Sequence, residues 1–165
     1  MTALSASFNK IEYQMKKLFA VLFAFSILVF NSCADNTLEP DSNSLEANFA
    51  KWKSLGINDY TIVQSQLCFC IYGGVRAVIQ VRNNQIVSVQ DSAGVREIKQ
   101  EYWQYYKTVD QLFATLSKAV NDKPSSITFT FDKSYGYPKD FFVDPNQQTA
   151  DEEYGYSISS FKQIK

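Results

Sequence analysis

The sequence predicts an α+β domain in which an antiparallel β-sheet carries two helices on one face, in the order α-β-β-β-α-β-β-β. Three observations lead there. Two segments repeat apolar residues at three- and four-residue spacing, as a helix with one buried side requires. Six short stretches alternate or are rich in β-branched and aromatic residues, and Gly, Pro or Asn separates most of them.

The first helix is expected after Ser44, a candidate cap, with Leu45, Phe49, Trp52 and Leu55 on one side and Gly56 at its end. A strand follows from Tyr60 to about Cys70, and Gly73-Gly74 breaks the chain. Val75, Ala77, Ile79 and Val81 then alternate with Arg76, Gln80 and Arg82 as a half-buried strand does. Asn83-Asn84 tolerates the positive backbone angles of a tight hairpin, with Ile86 to Gln90 as the returning strand. Ala93 to Lys107 is charged at first and then aromatic, and follows no period. Thr108 and Gln111 form a capping-box pair ahead of Val109, Leu112, Phe113, Leu116 and Val120, and Pro124 closes that helix. Three further strands are expected at Ser126 to Phe131, Lys139 to Asp144 and Tyr154 to Phe161. The two halves share an order of elements but no matching run of residues.

The N-terminus carries a different signal. Lys16 and Lys17 follow Met15, and Leu18 to Phe30 reads LFAVLFAFSILVF, polar only at Ser26. The run falls short of the roughly 20 residues that span a bilayer, but it fits the apolar core of a secretory signal. It ends at Phe30-Asn31-Ser32-Cys33, which resembles the lipobox of bacterial lipoproteins, with Phe30 where Leu is usual. That resemblance implies lipid transfer to the Cys33 thiol, cleavage before it and acylation of the new amino group. The expected organisation is therefore an upstream extension at 1–14, a lipoprotein signal at 15–32, the lipidated Cys33 with a polar tether to 43, and one globular domain at 44–165. Translation from Met15 would place the basic pair directly after the initiator. The expected location is the cell envelope, held to a bacterial membrane by lipid: the outer membrane or the periplasmic face in a Gram-negative cell.

Composition narrows the chemistry. The 165 residues contain no His, which removes Ser-His-Asp and Cys-His hydrolases and His-ligated metal or haem sites built from this chain alone. A net charge of -1 and a pI near 5.5 argue against a nucleic-acid partner, which calls for a surplus of Lys and Arg. No cofactor is expected and no catalytic residue is assigned.

Three motifs remain. Cys68-Phe69-Cys70 is a thiol pair in an oxidising compartment. On a regular strand these residues are roughly 6.5 to 7 Å apart, so a disulfide between them needs a bend. A structural pair, a redox-active pair and a soft-metal site all compete. Both Met residues lie before Cys33, so no soft third or fourth metal ligand is on hand and a metal site is the least favoured. The second motif is Asp132-Lys133-Ser134-Tyr135-Gly136-Tyr137-Pro138, followed by Asp144 and an acidic run at Asp151 to Glu153. It reads as a turn that serves structure or binding, with acid–base catalysis by Asp132 and Asp144 as the enzymatic rival. Tyr102-Trp103-Gln104-Tyr105-Tyr106 is the third, either core packing or a recognition surface for protein or glycan.

Taken in order, Trp52 to Tyr60, the Cys68-Phe69-Cys70 pair, Thr108 to Phe113, Asp132, Tyr135-Gly136-Tyr137-Pro138 and Asp144 resemble the bacterial lipoproteins grouped as domain of unknown function 6174. The likeness runs from about Trp52 to Phe161. It implies an exported, often lipid-anchored domain without an assigned activity, and it supplies no catalytic residues. The layout is also similar to small envelope modules of the PepSY and β-lactamase-inhibitor types, at the level of fold alone. The function expected is that of a lipid-anchored envelope protein whose domain binds a protein or glycan, with a thiol–disulfide role for Cys68 and Cys70 as the alternative.

Overall fold

Helix α1 (Ser42–Ser54) opens the computed structural model, which describes residues 42–165. The upstream extension, the signal segment, Cys33 and the tether up to residue 41 lie outside the described residues. Ser42 and Asn43, assigned to the tether from the sequence, already belong to α1, so Ser44 lies inside the helix instead of capping it. Its carbonyl accepts a hydrogen bond from Asn48 Nδ2 at 2.7 Å.

Six strands follow: β1 (Tyr60–Leu67), β2 (Ala77–Arg82), β3 (Gln85–Asp91), β4 (Ser126–Phe131), β5 (Pro138–Asp144) and β6 (Tyr154–Gln163). Helix α2 (Val109–Asp122) sits between β3 and β4, preceded by a 3-10 helix at Gln100–Tyr105. The strands form one antiparallel sheet in the order β3-β2-β1-β6-β5-β4. The expected α-β-β-β-α-β-β-β arrangement is the one observed. Two three-stranded meanders meet at the centre, where β1 pairs with β6. The first meander therefore joins through its first strand and the second through its last, so β1 and β4, equivalent in order, end up unequally placed.

Local chemistry explains most boundaries. Asn83 and Asn84 take φ values of 48° and 58° and close the β2–β3 hairpin. Thr108 caps α2 in a full capping box, with Gln111 N donating to Thr108 Oγ1 at 3.3 Å and Thr108 N donating to Gln111 Oε1 at 2.9 Å. β1 ends at Leu67, before the Cys pair, because Cys68 to Cys70 lie in a bend. The segment without a period is held by side-chain-to-backbone bonds instead. Asp91 accepts from the amides of Ala93, Val95 and Arg96, and Trp103 Nε1 donates to Ile98 O at 3.1 Å.

The helix-facing side of the sheet forms the core, with Tyr60, Ile62, Ile79, Val81, Phe141 and Ile158 essentially inaccessible. Trp52 of α1 meets Tyr60 and Phe161 edge-on, at centroid distances of 5.7 and 5.8 Å. Its Nε1 donates to Asp110 Oδ1 at 2.7 Å, while Lys53 Nζ and Asn84 Nδ2 both reach Asp110 Oδ2. Asp110 thus ties α1, α2 and the β2–β3 turn together from the first turn of α2, where a negative charge also suits the helix dipole. Burial works to raise the Asp110 pKa, but its bonds from Lys53, Trp52 and Asn84 and the Lys53 charge outweigh that and hold the carboxyl below its ordinary value. Tyr60 Oη accepts from the buried amide of Val109 at 2.8 Å, which fixes the start of α2 over β1.

Candidate functional site

The sequence motifs fall at opposite ends of β1. At the Tyr60 end lies the turn between β4 and β5. Asp132 Oδ1 accepts from the amides of Ser134 and Tyr135 at 2.9 and 2.7 Å. Its own amide donates to Tyr137 O and its carbonyl accepts from Gly136 N, both at 2.9 Å. Gly136 has φ 81°, and a Cβ there would stand 3.0 Å from Asn48 O, so both backbone angle and close approach to α1 call for glycine. Lys51 Nζ of α1 donates to Lys133 O at 2.8 Å. Tyr135 and Tyr137 lie against Phe161 at 4.7 and 5.1 Å, and burial, with the nearby Asp132 charge second, pushes the Tyr137 phenol up to about 12.

This turn is a clasp between α1 and the sheet, with its Asp132 carboxylate occupied by its own loop. Pro138, at the turn's end, begins β5. Asp144 is not part of the turn. It closes the seven-residue β5 opposite Ser126, about 20 Å along the strand from Pro138. Carboxyl pairs that cleave glycosides stand about 5 to 9.5 Å apart, so the geometry does not join Asp132 and Asp144 in one acid–base pair.

At the Leu67 end the first and third motifs come together. A cavity of about 200 Å³ is lined by Gln66, Cys70, Ile71, Tyr72, Tyr102 and Tyr105. The 3-10 helix brings the aromatic stretch over the end of β1. There the Tyr72 and Tyr102 rings lie 5.1 Å apart at 67°, and Tyr105 stacks beyond Tyr102 at 6.4 Å. Tyr72 Oη donates to Glu97 O and Tyr156 Oη to Tyr105 O, each at 3.2 Å, which secures two walls. The charge of adjacent Glu101 raises the Tyr102 pKa, so this phenol stays neutral. Charged side chains are absent from the lining.

Cys68 and Cys70 form the bend that a bond between them requires. Their Cα atoms are 5.3 Å apart and their sulfurs lie at disulfide-bonding distance. The loop returns to β1 through Gly73 N to Cys70 O at 3.0 Å and Gly74 N to Gln66 O at 2.8 Å. At Gly73 any Cβ would collide with the Cys68 carbonyl, so glycine is needed for the fold-back. Phe69 and Ile71 are 86% and 72% exposed, and with Cys70 they make a projecting, largely apolar lip.

Sequence reasoning missed the glutamines. Gln64 and Gln66 alternate with Ser65 on β1, so both face the core in line with Tyr60 and Ile62, and both are buried. Gln64 is fully matched: its Nε2 donates to Lys107 O at 3.0 Å and its Oε1 accepts from Lys107 N at 3.1 Å. Gln66 is not. Its Nε2 has no partner, and its Oε1 meets only the sulfurs of Cys68 and Cys70, at 3.7 and 3.8 Å. The signal was the apolar alternation of Tyr60 and Ile62 continuing into two amides.

A wider groove of about 410 Å³ lies between α1 and α2, lined by Leu45, Phe49, Phe113 and Val120 among others. Of the two carboxylates in its lining, Asp110 is already engaged by Trp52, Lys53 and Asn84, and Glu46 is exposed to solvent. The smaller cavity is the better candidate because three tyrosines and the exposed Cys70 gather in its lining. Among the described residues no cluster of three or more His, Cys, Asp or Glu could hold a metal ion, and no helix is long and apolar enough to cross a membrane.

Residues 44–163 match the model of a family described as a family of unknown function, DUF6174. No curated protein and no solved structure gives a match.

Proposed function

The chain belongs to DUF6174, a family whose description names no activity, and from its own residues we propose that it is an exported, lipid-anchored cell-envelope protein whose domain binds a ligand without turning it over. The anchor rests on the sequence: Lys16-Lys17, the apolar run Leu18 to Phe30, and Ser32-Cys33. Acyl chains on Cys33, each buried methylene contributing about 0.8 kcal/mol, would hold it on a membrane.

The binding role rests on the cavity at the Leu67 end. Three tyrosines in a largely apolar lining give rigid contact area, the usual make-up of a recognition pocket. The test screens the full chain in detergent against envelope glycans, peptides and lipids by thermal shift. At least one should stabilise the wild type and not Tyr102→Ala. If no compound shifts the wild type, or the variant responds equally, the cavity is not a ligand site. Cys33→Ser tests the anchor: it should abolish metabolic lipid labelling, and unchanged labelling would refute lipidation at Cys33.

One observation supports a thiol–disulfide role as a second reading. Cys70 is exposed and lines the same cavity, so an external thiol can reach it. Alkylation and mass spectrometry of the native protein decide this reading, since a pair that stays oxidised under strong reductant cannot cycle.

A further inference from the structure

The three most exposed large apolar side chains among the described residues stand at one end of the sheet. Phe69, Val95 and Ile71 are 86%, 80% and 72% exposed, against 52% for the next, Tyr105. Phe69 and Ile71 belong to the loop after β1, and Val95 to the loop after β3. Both loops leave the Leu67 end, because Ala77 at the start of β2 pairs with Gln64 near the end of β1 and with Asp91 at the end of β3. The loops are also fastened to each other, by Ser92 N donating to Arg76 O at 2.8 Å and Tyr72 Oη to Glu97 O at 3.2 Å. The Cys68–Cys70 bend carries Phe69 at its tip, and the three amides bonded to Asp91 include that of Val95. A fold that fixes three such side chains in water marks a contact surface.

The course of the chain shows what lies opposite that surface. Helices α1 and α2 are antiparallel: Trp52, late in α1, bonds Asp110 at the start of α2, and Leu45 shares a groove with Val120 and Asn121 at its end. Beyond Asp122 the chain passes at once into β4, whose first residue, Ser126, pairs with Asp144 at the Leu67 end of the sheet. The N-terminus of α1 therefore points toward that same end. From Ser42 back to Cys33 is nine residues, a reach of at most about 30 Å, comparable to the length of the eight-residue β1. Lipid on Cys33 would keep the Leu67 end close to the bilayer.

The chemistry of the end suits lipid. Near the tips, Arg76, Arg96 and Lys99 are offset by Glu97 and Glu101, and the acidic run Asp151 to Glu153 lies in the β5–β6 loop at the same end. Attraction to anionic headgroups is thus not the driving force, and the apolar tips are. Tyr72, Tyr102 and Tyr105 line one cavity with Ile71, and rings with polar ends suit the headgroup level of a membrane. A protein partner calls for a continuous, closely packed patch, whereas these tips stand on two separate loops.

Resting on the lipid anchor proposed above, we infer that Phe69, Ile71 and Val95 insert into the acyl boundary of the bilayer that holds Cys33, so that the domain lies with its Leu67 end on the membrane.

The experiment reconstitutes the full lipidated chain into phosphatidylcholine vesicles, with and without bromine on the acyl chains, and reads tryptophan fluorescence after subtracting the wild-type signal of Trp52 and Trp103. Three variants place the probe: Phe69→Trp and Val95→Trp at the tips, and Leu55→Trp, 44% exposed, near the Tyr60 end. Bromine should remove about half of the added signal of the two tip variants, as a side chain at the acyl boundary requires, and leave that of Leu55→Trp unchanged. Adding phosphatidylglycerol should not increase the quenching. Tip variants that float with the vesicles but are not quenched overturn the docking and leave the anchor standing. Equal quenching of all three variants overturns it as well, since no end would then be preferred. Quenching that appears only with phosphatidylglycerol overturns the apolar basis. A chain that does not float with the vesicles at all overturns the anchor, and the docking with it. A protein crosslinked through the Phe69 position in whole cells, without quenching in vesicles, overturns lipid as the occupant.

Discussion

The two ends of β1 are built on opposite terms. Around Tyr60, most hydrogen-bonding groups are matched: Tyr60 with Val109, Trp52 with Asp110, and Asp132 with its own turn, with Asn84 Oδ1 the buried exception. Around Leu67, the Gln66 amide is unpaired, Phe69 and Ile71 face solvent, and tyrosines frame an open space. One strand thus carries a stabilising end and an end that leaves stability unrealised. Local departure from good packing and pairing is where function is to be sought.

The largest expected effect is at the matched end. Trp52→Ala removes a side chain only 2% exposed that packs on Tyr60, Tyr137 and Phe161. It should destabilise the domain by about 3–5 kcal/mol, read from chemical denaturation. A loss below about 1 kcal/mol would mean that the aromatic cluster does not anchor α1.

Asp110→Asn comes next. Weakening the bonds from Trp52, Lys53 and Asn84 should cost about 1–2 kcal/mol at neutral pH, reduced by the partial solvent access of the carboxyl. The pH dependence gives a sharper reading. The folded carboxyl lies below its ordinary value, so its contribution is complete above the unfolded value of about 4. That contribution is lost as pH falls through the folded value. Wild-type stability should therefore drop more than that of Asp110→Asn as pH is lowered from about 5 to 2. Parallel acid profiles would show that Asp110 adds nothing through its charge.

The contrast between the ends also explains what was legible in the sequence. Local signals read correctly: the capping box at Thr108 and Gln111, the Asn83-Asn84 hairpin, and the glycine of the Tyr135-Gly136-Tyr137 turn. Each depends on residues within a few positions of one another. The β1–β6 pairing was beyond such reasoning, because both strands alternate alike and nothing local selects the partner. So was the meeting of Cys70 and Tyr72 with Tyr102 and Tyr105, which are brought together by a segment whose shape comes from Asp91 and Trp103 bonds and not from a period. Proximity in sequence groups Asp144 with Asp132, but an extended strand carries it away. Cys68 and Cys70 read as strand residues that extend β1, whereas their mutual approach requires the bend that ends it at Leu67.

The two buried glutamines offer the most direct test that the Leu67 end serves binding and not stability. Gln64→Leu would leave the amide and carbonyl of Lys107 without their partners, while Gln66→Leu would replace a carboxamide that has none. Measured by denaturant unfolding under identical conditions, Gln64→Leu should lose about 1–3 kcal/mol, and Gln66→Leu should be neutral or more stable than the wild type by up to about 1 kcal/mol. An equal loss in the two variants would show that Gln66 is held as firmly as Gln64, and would contradict the account.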